Sequence, residues 1–211
     1  MHKNAFDNGQ IKIGIMGGTF DPIHYGHLFA AEAARVEFGL SKVIFIPVGS
    51  PPHKQSQRIS HPEHRYRATA LAVSSNPNFE VSRLEVDKSG ITYTFDTMKK
   101  LRSIYGKDAD IYFITGADAV LELLTWYKFK DLFTLCRFIT VTRPGYNYME
   151  LEQKIEEISS NYGGEILCLE VPLLDISSTD IRERIRSGKA VKYLLPEEVE
   201  AYIFKNGLYK E

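Results

Sequence analysis

His24 and His27 stand three residues apart at the end of the segment Gly17-Gly18-Thr19-Phe20-Asp21-Pro22-Ile23-His24-Tyr25-Gly26-His27. At the start of a helix that spacing turns both imidazoles the same way. Facing a phosphate, the pair can donate hydrogen bonds to charge that grows on its oxygens in a transition state. Gly17 and Gly18 permit close backbone approach and positive φ, and a strand-to-helix turn presents backbone N–H groups to an anion. The spacing is not G-x-G-x-x-G, and no G-K-[ST] follows, so the ordinary dinucleotide fingerprint and the P-loop are both excluded. Two other readings of the pair stay open. One is a capped helix with half-exposed histidines. The other is a zinc site, which needs at least a third ligand, such as Asp21 or His53.

Three further segments carry suitable groups. Pro51-Pro52-His53-Lys54 is a loop stiffened by its prolines, with Lys54 as a compact cation. Ile176-Ser177-Ser178-Thr179-Asp180-Ile181-Arg182 places hydroxyls just ahead of a helical pattern, where they cap a helix. The same free N–H groups, with Ser177, Ser178, Thr179 and Arg182, can equally clamp a phosphate. Gly116-Ala117-Asp118-Ala119 offers the Asp118 carboxylate to ribose hydroxyls. Trp126, the only tryptophan, precedes Tyr127 and is either partly buried core or a platform for a flat heteroaromatic ring.

These groups must be positioned by elements that alternate along the chain. Apolar runs predict strands at Ile11–Met16, Lys42–Val48, Phe79–Ser82, Asp110–Thr115, Phe138–Thr142 and Glu165–Val171. Helical spacing falls at His27–Phe38, Pro62–Ser75, Thr94–Tyr105, Leu121–Phe133 (broken near Trp126), Met149–Tyr162, Ser177–Ser187 and Pro196–Lys205. Strands alternating with such helices imply βαβ units, hence an α/β Rossmann-like parallel sheet covered by helices on both faces. Ligands then bind beyond the carboxyl ends of the strands, which is where the groups above lie. A polar leader, 1–10, and a single domain over 11–211 is the expected division.

With 211 residues, 44% hydrophobic and 25% charged, and a formal net charge of -1, the chain lacks the basic excess of a general nucleic-acid binder. Cys136 and Cys168 cannot make a disulfide framework, and both are expected as buried strand residues in a reducing cytosol. The leader has no apolar core, and no run is long enough for a membrane span, so a cytoplasmic protein is expected.

Together the segments resemble the nucleotidyltransferase superfamily with the H-x-G-H signature, itself distantly related to class I aminoacyl-tRNA synthetases. Gly17–His27 and Ile176–Arg182 match its two halves in order. PPHK (Pro51–Lys54), TYT (Thr92–Thr94), GADA (Gly116–Ala119), WY (Trp126-Tyr127) and RPGY (Arg143–Tyr146) narrow the match. The set is similar to the bacterial nicotinate-nucleotide adenylyltransferase family, which makes deamido-NAD from ATP and nicotinate mononucleotide. The resemblance runs from about Ile11 to the C-terminus; the polar leader departs from it.

The resemblance implies a role for each position. His24 and His27 contact the ATP phosphates, with His27 the stronger catalytic candidate. Ser178, Thr179 and Arg182 hold the β- and γ-phosphates, with Ser177 beside them. Gly17, Gly18, Thr19 and Phe20 line the ATP site, Gly116 and Asp118 lie near the ribose, and Lys54 approaches phosphate. Thr92, Tyr93, Trp126 and Tyr127 hold the mononucleotide. Direct in-line attack needs no general base, because the attacking phosphate is already an anion. Mg2+ is expected on the ATP phosphates, with no protein metal cage, and a homo-oligomer is compatible with the family. Two alternatives remain at this level: an H-x-G-H adenylyltransferase with another acceptor, such as phosphopantetheine, and a non-catalytic nucleotide sensor.

Overall fold

The computed structural model describes residues 11–50, 59–143, 148–172 and 174–210. Six strands form one parallel sheet: β1 (Lys12–Gly18), β2 (Lys42–Pro47), β3 (Phe79–Val81), β4 (Asp110–Gly116), β5 (Arg137–Thr142) and β6 (Ile166–Glu170). Their order is β3-β2-β1-β4-β5-β6. The chain therefore winds outward twice from the centre, and β1 and β4 flank the switch point where loops leave in opposite directions. Register places Met16 beside Ile114 and Gly18 beside Pro47, so the ends of β1, β2 and β4 meet at one rim.

The inner strands read as continuous apolar runs because both of their faces are covered. Alternate residues feed two cores. Met16, Val43, Phe45 and Ile114 pack under α1 (Tyr25–Glu37), α2 (Pro62–Val73), α7 (Ser178–Arg186) and α8 (Glu197–Lys205). Ile13, Ile15, Ile44 and Phe113 pack under α3 (Thr94–Tyr105), α4 (Ala117–Leu121), α5 (Phe129–Leu135) and α6 (Tyr148–Tyr162). Among the described residues no helix is long and apolar enough to cross a membrane.

Local differences from expectation have local causes. Gly17 and Gly18 do not leave the strand; they are its last two residues, and the positive φ of the turn falls on Phe20, at 48°. The stretch expected as a helix over 121–133 is three pieces, α4, a 3-10 turn at Leu123–Thr125, and α5, with Lys128 at φ 52°. The expected break at Trp126 is therefore real and wider than expected. Cys136 is buried but precedes β5, and Cys168 is exposed, against the expectation of a buried strand residue. The cause is that β6 is an edge strand whose alternate residues, Cys168 and Glu170, escape cover.

α2 carries a residue whose burial organises the rim. Its core stripe runs Arg65, Ala68, Thr69, Ala72, and Arg65 is only 2% exposed. The guanidinium donates to three carbonyls: Nε to Ser60 (2.9 Å), Nη1 to Thr19 (2.8 Å) and Nη2 to Gly49 (2.9 Å). One cation thus ties the loop after β1 to the loop after β2. Gly49 is required there because a Cβ would lie 2.2 Å from the Glu85 carbonyl oxygen.

Replacing Arg65 with Met strands one buried and two part-buried carbonyls and is expected to cost roughly 3–5 kcal/mol of stability. Urea unfolding of the wild type and Arg65→Met measures this. A loss under about 1 kcal/mol would show that water replaces the guanidinium at these carbonyls.

Candidate active site

Two cavities open at the carboxyl rim, one on each side of the switch point, and Gly17 and Thr115 line both. The first, about 610 Å³, is walled by Phe113, Trp126, Tyr93 and Tyr127, with Thr92, Thr97 and Glu85 supplying polar groups. The second, about 450 Å³, holds His24, His27, Gly116, Asp118 and Arg143. Each is of the size that takes a small ligand.

The second cavity is built by the entry into α1. His24 is extended at the N-cap (φ -150°, ψ 172°), which turns its ring back over the first turn. Gly26 makes room for it, since a Cβ there would sit 3.0 Å from His24 Nδ1. The two imidazoles lie 3.8 Å apart between centroids, tilted by 32°. The His24 backbone N–H donates to His27 Nδ1 (3.3 Å). That nitrogen therefore carries no proton, and a neutral His27 has its N–H at Nε2. Burial lowers His24 to about 4. Burial, and then the neighbouring His24, hold His27 well below its ordinary range. Phe20 does not reach either cavity wall: it is 2% exposed and meets the His27 ring edge-on, at 5.1 Å.

α7 docks on the same loop. Ser177 caps the helix by accepting from the Asp180 N–H (3.1 Å). The Ser178 hydroxyl donates to the Pro22 carbonyl (2.8 Å). Arg182 donates to the Asp21 carbonyl (2.8 Å) and to Thr179 Oγ1 (3.2 Å). These four side chains stand beside the second cavity rather than in its wall, to which their helix contributes the preceding residue, Ile176. Asp21, one candidate third zinc ligand, directs its carboxylate at the Ser60 N–H and the Tyr209 hydroxyl. Among the described residues no three His, Cys, Asp or Glu side chains stand together as a metal site. His53 and Lys54 lie outside the described residues, as do three of the four residues of the 143–146 motif.

In the first cavity Thr92, Tyr93, Trp126 and Tyr127 come together as expected, and Gly18 and Thr19 line this side rather than the other. Trp126 is half-buried and stands edge-on to Phe113 (5.9 Å, 90°). Tyr93 and Tyr127 pair at 4.6 Å. Thr92 Oγ1 is buried with no hydrogen-bond partner among the described residues. Sequence reasoning missed Glu85, Thr97 and Thr115. Thr115 had a usable signal, a hydroxyl at the carboxyl end of an apolar strand. Glu85 had none: it reads as one more acid in a polar loop, yet it is 7% exposed and accepts from the Thr97 hydroxyl (2.6 Å).

Histidines, hydroxyls and a helix N-terminus gathered at the rim of such a sheet are the equipment of a nucleotidyltransferase, and the Cytidylyltransferase-like family profile matches residues 15–184. The chain is 54% identical over 202 residues to a protein of Thermoanaerobacter sp. (strain X514) named "Probable nicotinate-nucleotide adenylyltransferase", covering 96% of each. A protein of Moorella thermoacetica with the same name is 54% identical over 199 residues, covering 94% of this chain and 92% of its own. The chain belongs to the nicotinate-nucleotide adenylyltransferase family. Its fold is shared by the Plasmodium falciparum nicotinic acid mononucleotide adenylyltransferase complexed with NaAD. That structure aligns at TM-score 0.78 and 20% identity, over 95% of this chain and 98% of that one.

The neutral histidines give stability a pH dependence. Unfolded, both titrate near 6.5; folded, His24 titrates at about 4 and His27 well below 6.5. Between those limits the unfolded chain binds more protons, so stability is full above about 6.5 and falls as pH drops toward 4. Thermal melts of the ligand-free protein across that range should show the decline, and a His24→Asn/His27→Asn double variant should show a shallower one. Parallel curves for the two proteins would mean that the histidines are not buried as neutral rings.

Proposed function

We propose that the protein transfers the adenylyl group of ATP to nicotinate mononucleotide, giving deamido-NAD and pyrophosphate. The observation that carries this reading is the pair of cavities sharing Gly17 and Thr115, one aromatic and one holding the histidine pair. A reaction that joins two nucleotides needs two such pockets meeting at the reacting phosphorus. The Plasmodium falciparum neighbour, complexed with NaAD, supports the same pairing of substrates.

In this reading ATP occupies the second cavity, with Asp118 near the ribose and the phosphates toward His24, His27 and the start of α7. Nicotinate mononucleotide occupies the first, its pyridine ring against Trp126 and its polar groups near Thr92 and Tyr93. A phosphate oxygen of the mononucleotide attacks the α-phosphorus of ATP, a new P–O bond forms, and the bond to the bridging oxygen of the β-phosphate breaks. Pyrophosphate carries away the electron pair. The nucleophile is an anion near neutral pH, so the protein supplies position and charge stabilisation rather than a base. His27 Nε2–H donates to the oxygens that gain charge. Arg182, a planar fork of five N–H donors, adds to the hold on the leaving phosphates.

Mg2+ would enter with ATP as part of the substrate and would offset the charge of its phosphates. The second cavity offers a single carboxylate, Asp118, beside two imidazoles that are poor ligands for a hard cation, so such an ion would keep mainly phosphate and water oxygens.

Two variants test the roles. His27→Ala is expected to lower kcat by about a hundred- to a thousand-fold, the effect of one lost transition-state donor, with the melting temperature preserved; full kcat would reject the role. Trp126→Ala is expected to raise KM for nicotinate mononucleotide with little change in KM for ATP. Equal losses for both substrates would assign Trp126 to packing. Pyrophosphate release from ATP with nicotinate and nicotinamide mononucleotides in parallel tests the activity itself, and no release with either would overturn it.

A further inference from the structure

Asp21 lies in the loop that delivers the histidines and is 4% exposed. Each of its oxygens is engaged by a different part of the chain. The Tyr209 hydroxyl, beyond α8, donates to Oδ1 (2.7 Å). The Ser60 backbone N–H, ahead of α2, donates to Oδ2 (3.2 Å). Arg182 of α7 donates to the carbonyl (2.8 Å), and on the next residue Ser178 donates to the Pro22 carbonyl (2.8 Å). The charge of Asp21 is felt by Arg65, whose own donors go to the Thr19, Gly49 and Ser60 carbonyls. Burial, and then Asp21 itself, push the Tyr209 hydroxyl upward, so it keeps its proton and acts as the donor. Among the described residues neither Tyr209 nor Asp21 lines either of the two cavities.

We infer that Tyr209 is a positioning residue for adenylyl transfer: its hydroxyl, through Asp21, fixes the loop that aims His24 and His27 into the second cavity. A buried carboxylate oxygen that loses its donor must find another or shift. Any shift of residues 21–24 reaches the His27 ring directly, because the His24 N–H is the group bonded to His27 Nδ1. The first cavity also takes Gly18 and Thr19 from the start of this loop, but the groups that face the mononucleotide, Trp126, Tyr93 and Thr92, are carried by the loops around α3 and α5. Loss of the hydroxyl should therefore separate turnover from mononucleotide binding. The inference rests on the proposed reaction for its kinetic readout and on geometry alone for its spectroscopic one.

The test is Tyr209→Phe, which keeps the ring and removes the hydroxyl, measured by steady-state kinetics and by the imidazole ¹⁵N resonances of His24 and His27. Expected are a fall in kcat of about tenfold or more, since small misplacements of catalytic groups are costly, KM for nicotinate mononucleotide within about twofold, and displaced resonances for both histidines. Unchanged histidine resonances overturn the inference whatever the rate, and so does an unchanged kcat, even with a lowered melting temperature. If the wild type releases no pyrophosphate, the functional reading falls while the resonances still decide the role of Tyr209. Should Tyr209→Phe fail to fold, Asp21→Asn replaces it. The amide keeps an oxygen for Tyr209 but offers Ser60 a second donor, so the same displacement is expected, and wild-type resonances would again overturn the inference.

Discussion

The rim of this sheet depends on one buried cation. Loops after strands carry most of the candidate chemistry, and loops by themselves have no reason to hold a common geometry. Arg65 supplies that reason by donating to carbonyls after β1, after β2 and before α2. A lysine could not do the same: its compact ammonium lacks the planar spread that reaches three separate acceptors. Burying the guanidinium is costly, and the cost is offset because each of its three nitrogens donates to a carbonyl and the charge of Asp21 favours it. The two cavities can then be formed before any ligand arrives.

That arrangement suits a reaction with little covalent work for the protein to do. Burial holds both histidines neutral, and the nearness of His24 adds to this at His27. A proton acceptor tuned near neutrality would be a different device. Here a neutral ring whose Nδ1 is occupied has a single orientation for its remaining N–H, and a donor fixed in advance needs no reorganisation when charge develops. Gly26 matters for the same reason: the space left by its missing side chain is where the His24 ring lies.

Much of this was legible in the chain. The strand and helix alternation pointed to the parallel sheet because inner strands buried on both faces are continuous apolar runs, whereas the spacing of the two histidines left three readings open and only the resemblance chose among them. The four mononucleotide candidates meet in one cavity because TYT and WY both lie in loops at the rim. What was not legible depends on distant partners. Arg65 looks like a surface arginine unless its i, i+3, i+4, i+7 stripe with Ala68, Thr69 and Ala72 is read as core. Glu85 becomes special only when the Thr97 hydroxyl reaches it, and Cys168 is exposed only because β6 is an edge. Phe20 was assigned to the nucleotide site by the resemblance, whereas its ring is buried and meets His27 edge-on.

The start of α7 joins these features. Ser178 and Arg182 donate to the carbonyls of Pro22 and Asp21, groups of the loop that carries the histidines. A guanidinium has five N–H donors, so docking the loop through one nitrogen leaves donors for a phosphate without undocking. On the proposed reading, the group that grips the leaving pyrophosphate is then also one that holds the histidines in place. Ligand binding at α7 and the aim of His27 become two consequences of a single contact, and a phosphate that strengthens one strengthens the other. Such coupling follows from the fold itself. β1 and β4 send their loops apart at the switch point, and the last helices must return across the gap to close it.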